Sequence, residues 1–297
     1  MKILVLGGTK FFGVYAVRRL LANGHQITIA TRGQTKDSFG NKVERIVLDR
    51  TEQQSMSDAL RDKTFDIVCD NLVFCSNDVR YLLDVVSPTR YVYTSTIATY
   101  DENLQMDMPE EHFNPLVHPF HWCSRNEFPY GESKRQAECA VFQVYKDIPS
   151  AALRLPYVIG EDDYTKRLYF YVDHVVNKKP MYIDNIDEKL SFIYADEAGE
   201  FLAWAVENDF IGPLNGANHG SISIREMITY VEEKTGTQVI LQPDGDPGAY
   251  NERWAFSTST KKAEILGFRF SNLFDRLYPL LDKYIEIAKR KGEMFDQ

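Results

Sequence analysis

Long apolar runs, a basic surface and paired cysteines are missing from this sequence, and each absence excludes a class of function. No stretch approaches the ~18 consecutive apolar residues of a membrane-crossing helix, so no membrane role is expected. No signal-peptide pattern precedes the first apolar run. Asp and Glu number 43 against 34 Lys and Arg, a formal net charge of -9. Nucleic acid is a polyanion bound through a basic face, so it is not an expected partner. The densest cationic run, Lys289-Arg290-Lys291, reads as the complement of a helix C-terminus. The four cysteines, Cys69, Cys75, Cys123 and Cys139, form no C-x-x-C pair. Free thiols and a reducing, cytoplasmic setting follow as the expectation.

What is present is an ordinary core-forming composition, with 44% apolar and 13% aromatic residues in 297. Lys2–Leu6 is a short buried-type strand closed by Gly7-Gly8, and Phe12–Asn23 follows with Val14, Val17, Leu20 and Leu21 at helical spacing. Strands are expected at 26–31, 43–48, 65–69, 90–94 and 151–156, and helices at 55–61, 77–86 and 130–145. Such alternation with short turns marks parallel βαβ units, helices covering both faces of one sheet. Beyond residue 160 the alternation weakens. Helices near 166–177, 195–207, 224–234 and 272–290 mix with short strands such as 238–241. The expected architecture is α/β: a Rossmann doubly wound parallel sheet with a smaller, interleaved C-terminal α/β lobe. Residues 1–160 are expected to form the dinucleotide-binding domain. Residues 161–297 form mainly a substrate-binding lobe, with about 190–210 returning to the first domain.

The glycine segment Gly7-Gly8-Thr9-Lys10-Phe11-Phe12-Gly13 lies between strand and helix. There Gly7 allows a tight turn, small residues let backbone approach a pyrophosphate at a helix N-terminus, and Gly13 lets helix and sheet pack closely. In that context the pattern reads as a dinucleotide site. A carboxylate ending the second strand would select NAD, but Thr31-Arg32 stands there. Lys10 opposes the helix dipole unless a phosphate lies near. Together Lys10 and Arg32 point to NADP over NAD, the alternative being that both face solvent. Asp49, after the third strand, is placed to accept from an adenine amino group.

Tyr130-Gly131-Glu132-Ser133-Lys134 sets a phenol and an ammonium four residues apart, on one helix face. A tyrosine near pKa ~10 is a poor base at neutral pH, and a neighbouring cation favours its phenolate. Tyr93-Thr94-Ser95-Thr96 ends a strand, and strand carboxyl ends face the ligand crevice of open α/β sheets. A hydroxyl there can orient a substrate oxygen beside Tyr130.

These features together resemble the extended short-chain dehydrogenase/reductase superfamily, the nucleotide-sugar epimerases and their relatives. The glycine turn, Thr94–Tyr100 and Tyr130-x-x-x-Lys134 match it in order, as do Leu153–Gly160 and Ser191–Ala198. The resemblance implies Thr96, rather than Ser95, as the catalytic hydroxyl beside Tyr130 and Lys134. It also implies a cofactor set of Gly7, Gly8, Thr9, Lys10, Phe11, Phe12, Gly13, Arg32, Asp49, Arg50, Asn71 and Pro156. Sugar-nucleotide dehydratases carry Asp-Glu after the Thr; Ile97-Ala98 here argues against that reaction. Lys10 replaces the family's middle glycine. With Asp70-Asn71-Leu72, Thr31-Arg32-Gly33 and Leu48-Asp49-Arg50, it resembles the subgroup containing chloroplast stem-loop RNA-binding proteins. The resemblance leaves oligomeric state open, although helix pairs of this fold can form homodimers.

Arg154, Arg167 and Arg225, with Lys166, are candidates to meet a substrate diphosphate. His118, His121 and Cys123 sit together in the chain but lack a fourth ligand, so no metal is expected. Phe170, Tyr171 and Trp254 are candidate pocket or core aromatics. The 29-residue segment Asp101–Pro129 joins the two catalytic stretches, and reads either as a lid or as a packed surface excursion. Two functions therefore stand. One is an NAD(P)-dependent epimerase or reductase acting on a nucleotide sugar or similar small molecule. The other is a non-catalytic NADP-sensing or RNA-binding protein on the same scaffold.

Overall fold

The computed structural model describes residues 1–100 and 104–295, with side chains up to 290. The onset of the long segment at Asp101 and the side chain of Lys291 lie outside the described residues.

The first half is built as its alternation predicts. In chain order come β1 (Lys2–Leu6), α1 (Phe12–Ala22), β2 (Gln26–Thr31), β3 (Glu44–Val47), α2 (Gln53–Leu60), β4 (Ile67–Asp70), α3 (Ser76–Leu83), β5 (Arg90–Thr96), α4 (Tyr130–Cys139) and β6 (Ser150–Leu155). All pair in parallel, in the order β6-β5-β4-β1-β2-β3. The order reverses direction at β1, and a ligand crevice opens at such a switch point beyond the strand ends. A seventh strand, Gly212–Asn215, adds outside β6 and is hidden in the sequence by its Gly-Pro start. Proline is tolerated there because an edge strand leaves one side of its backbone unpaired.

Central strands are buried on both faces, so Ile3–Leu6 of β1 and Ile67–Cys69 of β4 read as continuous apolar runs. One face packs under α1 and α6 (Ala195–Glu207), with Val17, Leu20, Phe201 and Leu202 in its core. The other packs under α2, α3 and α4, with Met56, Leu82 and Val141. Residues 195–215 thus return to the sheet. The remaining chain forms a second core from α5 (Arg167–Val176), α7 (Ile224–Thr235) and α9 (Leu277–Phe295), around Val172, Ile228 and Leu281. Between α7 and α9 the short α8 (Lys261–Ile265) packs on the edge strand.

Three expectations are corrected. The expected helix 130–145 is α-helical only to Cys139 and continues as a wider π turn over Ala140–Val144. The strand expected at 238–241 is reduced to one bridge between Leu241 and Met181. The helix expected from 272 begins as a 3-10 turn, Leu273–Asp275, capped by Asn272. Among the described residues no helix is long and apolar enough to cross a membrane.

Candidate functional site

Two adjoining cavities open beyond the carboxyl ends of the strands. The first, about 460 Å³, runs along the glycine turn and the ends of β2 and β3. Its lining includes Gly7 to Gly13, Arg32, Asp49, Asn71 and Arg125. The turn needs glycine for physical reasons. Gly8 has φ 88°, a left-handed conformation that side chains resist. A Cβ on Gly13 would lie 2.9 Å from the Gly8 Cα, so α1 could not start this close to the turn.

The charge of this cleft is uneven. Lys10, Arg32 and Arg125 line it, against the single carboxylate of Asp49, but the Arg125 guanidinium is already taken by Asp78 (3.0 Å) and the Leu72 carbonyl (2.8 Å). The Thr51 hydroxyl and amide bind Asp49, and with the Arg32 and Arg125 charges they hold its carboxyl below the usual range. Asn71 lines both cavities; its Oδ1 accepts from the Thr94 hydroxyl at 3.1 Å, while its buried Nδ2 has no partner among the described residues. An orphaned buried donor is costly unless a ligand supplies an acceptor. The cradle and this donor fit a dinucleotide.

Arg50 corrects the sequence reading. Its backbone borders the cleft, but its guanidinium is buried, donating to both oxygens of Asp70 (3.2 and 2.9 Å) and to the Asp78 carbonyl (2.9 Å). It braces the segment after β4 and is not available to a ligand.

The second cavity, about 530 Å³, is lined by Thr94 to Ala98, Tyr130, Lys134, Pro156, Arg167 and several aromatics. Thr96 ends β5, and its Oγ1 accepts from the Ala98 amide at 3.2 Å. Tyr130 opens α4 directly after Pro129 and is 48% exposed, so its phenol stands at the cavity rather than in the core. One turn later Lys134 is buried. Its Nζ donates to the carbonyls of Val73 (2.7 Å) and Thr94 (2.8 Å), which fixes the ammonium between β4 and β5. Burial pushes the Lys134 pKa down to about 8, against the opposing pull of Glu138, Asp70 and Asp78. Phe74 forms a wall of this cavity. Its ring lies 6.2 Å from the Tyr130 ring, 5.8 Å from Lys134 Nζ and 4.5 Å from the Arg125 guanidinium.

Two further arginines were expected at the substrate and are not there. Arg154 is wholly buried, bonded through Nε and Nη2 to both oxygens of Glu138 (3.0 and 2.6 Å), and through Nη1 to the Tyr100 hydroxyl (2.8 Å). It also donates to the carbonyls of Glu110 and Phe113. Glu138 in turn accepts from the Ser95 hydroxyl at 2.5 Å, so this ion pair ties β5, β6 and α4 beneath the site. Arg225 is exposed, pairs with Asp187, and lies outside both cavities. Arg167 does line the second cavity, over the Tyr157 ring at 5.1 Å. Phe74, Tyr164 and Arg253 line it too and were missed. Phe74 was findable, since it follows the end of β4 as Thr96 ends β5.

Of the candidate aromatics, Tyr171 is core and Trp254 is exposed. The described part of the long segment, 104–129, is a packed strap. The Met108 amide donates to the Ser257 carbonyl, and Gln143 and Gln136 take the Pro115, His118 and Pro119 carbonyls. His118 contacts Glu132, while Cys123 contacts Ser76. Among the described residues no cluster of metal-ligating side chains forms.

Residues 3–72 match the model of the NAD dependent epimerase/dehydratase family. A chloroplast stem-loop binding protein of 41 kDa from Arabidopsis thaliana is 28% identical over 113 residues, 33% of this chain and 30% of that protein. The chain therefore matches less than a third of the length of this relative. Solved structures share the fold over nearly the whole chain. The UDP-glucose 4-epimerase of Thermotoga maritima, solved with UDP-glucose, has TM-score 0.74 and 17% identity, covering 98% of this chain and 99% of its own. Vestitone reductase of alfalfa (Medicago sativa) has TM-score 0.66 and 19% identity, with 98% and 99% covered. The resemblance read from the sequence is borne out, and the Rossmann-type sheet with it.

Proposed function

We propose that this protein is an NAD(P)-dependent epimerase or reductase of the extended short-chain dehydrogenase/reductase type, acting on a nucleotide sugar or similar carbonyl or hydroxyl compound. The observation that carries the reading is that Thr96, Tyr130 and Lys134 line one cavity, which adjoins the glycine cleft along Asn71 and Leu72. The end of β5 and the start of α4, separate in sequence, meet there beside the glycine turn, which supports a shared site over a chance motif. The epimerase/dehydratase family match adds to it.

A nicotinamide dinucleotide supplies the hydride acceptor and donor. The chain's residues handle the proton and the geometry. Tyr130 exchanges a proton with the substrate oxygen as the carbon changes oxidation state. Lys134 holds positive charge beside the phenol and favours its ionised form. Two of the three Lys134 N–H bonds go to carbonyls, so the ammonium is fixed in place rather than mobile. The Thr96 hydroxyl already accepts from the Ala98 amide, which leaves its own proton to donate toward a substrate oxygen. Gly7, Gly8, Thr9, Lys10, Phe11, Phe12 and Gly13 cradle the cofactor, with Asn71 and Pro156 at its reacting end. With Arg125 held by Asp78, Lys10 and Arg32 are the cleft cations that favour the extra phosphate of NADP.

Replacing Tyr130 with Phe tests the assignment. Turnover should fall about 10²- to 10⁴-fold, the usual worth of positioned acid–base catalysis, with NADPH affinity kept. Unchanged turnover would refute it. The chloroplast relative's name supports a second reading, in which the scaffold binds RNA without turnover. The net charge of -9 opposes it. Filter binding at two salt concentrations decides: tight, salt-sensitive RNA retention would favour the second reading.

A further inference from the structure

Lys10 has a partner that the reaction does not use. Its ammonium lies 5.7 Å from the centre of the Tyr164 ring. That ring meets Phe11 edge-on, with centroids 6.0 Å apart and an interplanar angle of 82°. Tyr164 lines both cavities, so it stands where cleft and reaction pocket join. Phe11 also lines both. The ring is 65% exposed, unusual for a large aromatic that is not packing a core.

The base of Tyr164 is fixed while its ring is not buried. Asp163 Oδ1 accepts from the amide and hydroxyl of Thr165 at 2.9 and 2.6 Å. The Asp163 amide donates to the Gly160 carbonyl, and the Lys166 amide to the Asp163 carbonyl. A tied turn from the segment after β6 thus projects an aromatic ring over the join. From the glycine turn comes Lys10, an exposed side chain on the rim of the same cleft, whose ammonium meets that ring and narrows the mouth of the cleft there.

We propose that Lys10 and Tyr164 form a clasp across this mouth, so that a bound dinucleotide leaves only when the pair parts. The proposal rests on the dinucleotide reading above. An exposed cation–aromatic pair is weak alone, so the empty mouth opens readily. A bound pyrophosphate gives the ammonium a charge-assisted contact, and the ligand's body gives the Tyr164 ring apolar surface to cover. Ligand and clasp then stabilise one another, and the effect falls on release rather than on encounter. Slow release suits a cofactor that takes a hydride and returns it to the same substrate. The clasp therefore favours the epimerase half of the proposed function over a reductase that exchanges cofactor each cycle.

The test is the rate of NADPH release, followed by fluorescence after a chase with excess unlabelled NADP. In Tyr164→Ala and in Lys10→Ala release should quicken about tenfold, because changes within one binding site fall mainly on the off-rate. The double variant should release no faster than the faster single one, as expected of a coupled pair. Tyr164→Phe should keep the parent rate, since the ring and not the hydroxyl does the covering. Both residues are exposed at the rim, so the variants should fold. If the parent binds NADPH and both alanine variants release it within twofold of the parent rate, the clasp is wrong and the dinucleotide reading stands. If the parent binds neither NADPH nor NADH, both fail.

Discussion

The glycine cleft and the second cavity, the proposed reaction pocket, share a wall at Asn71 and Leu72, yet they are built in opposite ways. The cleft comes almost entirely from the first 72 residues, where backbone turns at strand ends follow one another in order. The pocket is gathered from Phe11 to Phe256, and its side chains are placed by packing between distant segments. Cations differ in the same way. Arg32 and Arg167 stand at the cavities, while Arg50 and Arg154 are buried against Asp70 and Glu138. The difference teaches that a cation is left for a ligand only when the fold gives it no carboxylate of its own, as it gives Asp78 to Arg125.

Arg154 should break the comparison most visibly. Arg154→Met would leave Glu138 as an unpaired buried charge and cost about 3–5 kcal/mol of stability, measured by chemical denaturation. Because Glu138 also holds Ser95, the neighbour of Thr96, the end of β5 should loosen with it. A variant that stays fully stable and shows only a raised KM would instead restore Arg154 as a substrate contact. Arg32, its counterpart at the cleft, should do the reverse. In Arg32→Ala stability should hold while the preference for NADPH over NADH falls about tenfold, near 1.4 kcal/mol. An unchanged ratio in paired titrations would mean that Arg32 faces solvent.

These two arginines also mark the limit of reading the chain alone. Strand–turn–helix order, the Tyr130–Lys134 spacing and the hydroxyl at the end of β5 are local facts, and each was visible in the sequence. Whether Arg154 meets a substrate or Glu138 depends on α4 lying across β6, a fact of packing that no spacing encodes. The strand Gly212–Asn215 was hidden for a related reason, since its edge position permits a proline that sequence patterning reads as a turn. The strap 104–129 carries no periodicity because its bonds run to Gln136, Gln143 and Ser257 on other elements. Tyr164 gave no signal at all, being an exposed aromatic in a turn.

The smallest expected effect sharpens the contrast from the pocket side. Lys134 owes its lowered pKa, about 8, to burial, so it is a cation at neutral pH and loses its proton as pH rises through that value. In the proposed mechanism, loss of the proton removes the charge that favours the Tyr130 phenolate. Turnover should therefore have a falling alkaline limb, with about half the neutral rate left at pH 8 and about a tenth at pH 9. Arginine stays protonated throughout this range. Lys134→Arg should accordingly lack the limb, even if the larger guanidinium lowers the overall rate in the cage of Val73 and Thr94 carbonyls. On the proposed reading, cofactor binding in the cleft depends on Lys10 and Arg32 rather than on Lys134, so NADPH affinity should stay flat over the same interval. If affinity and turnover instead fall together, the titrating group belongs to the cleft, and Lys134 is only the bolt that joins β4 to β5.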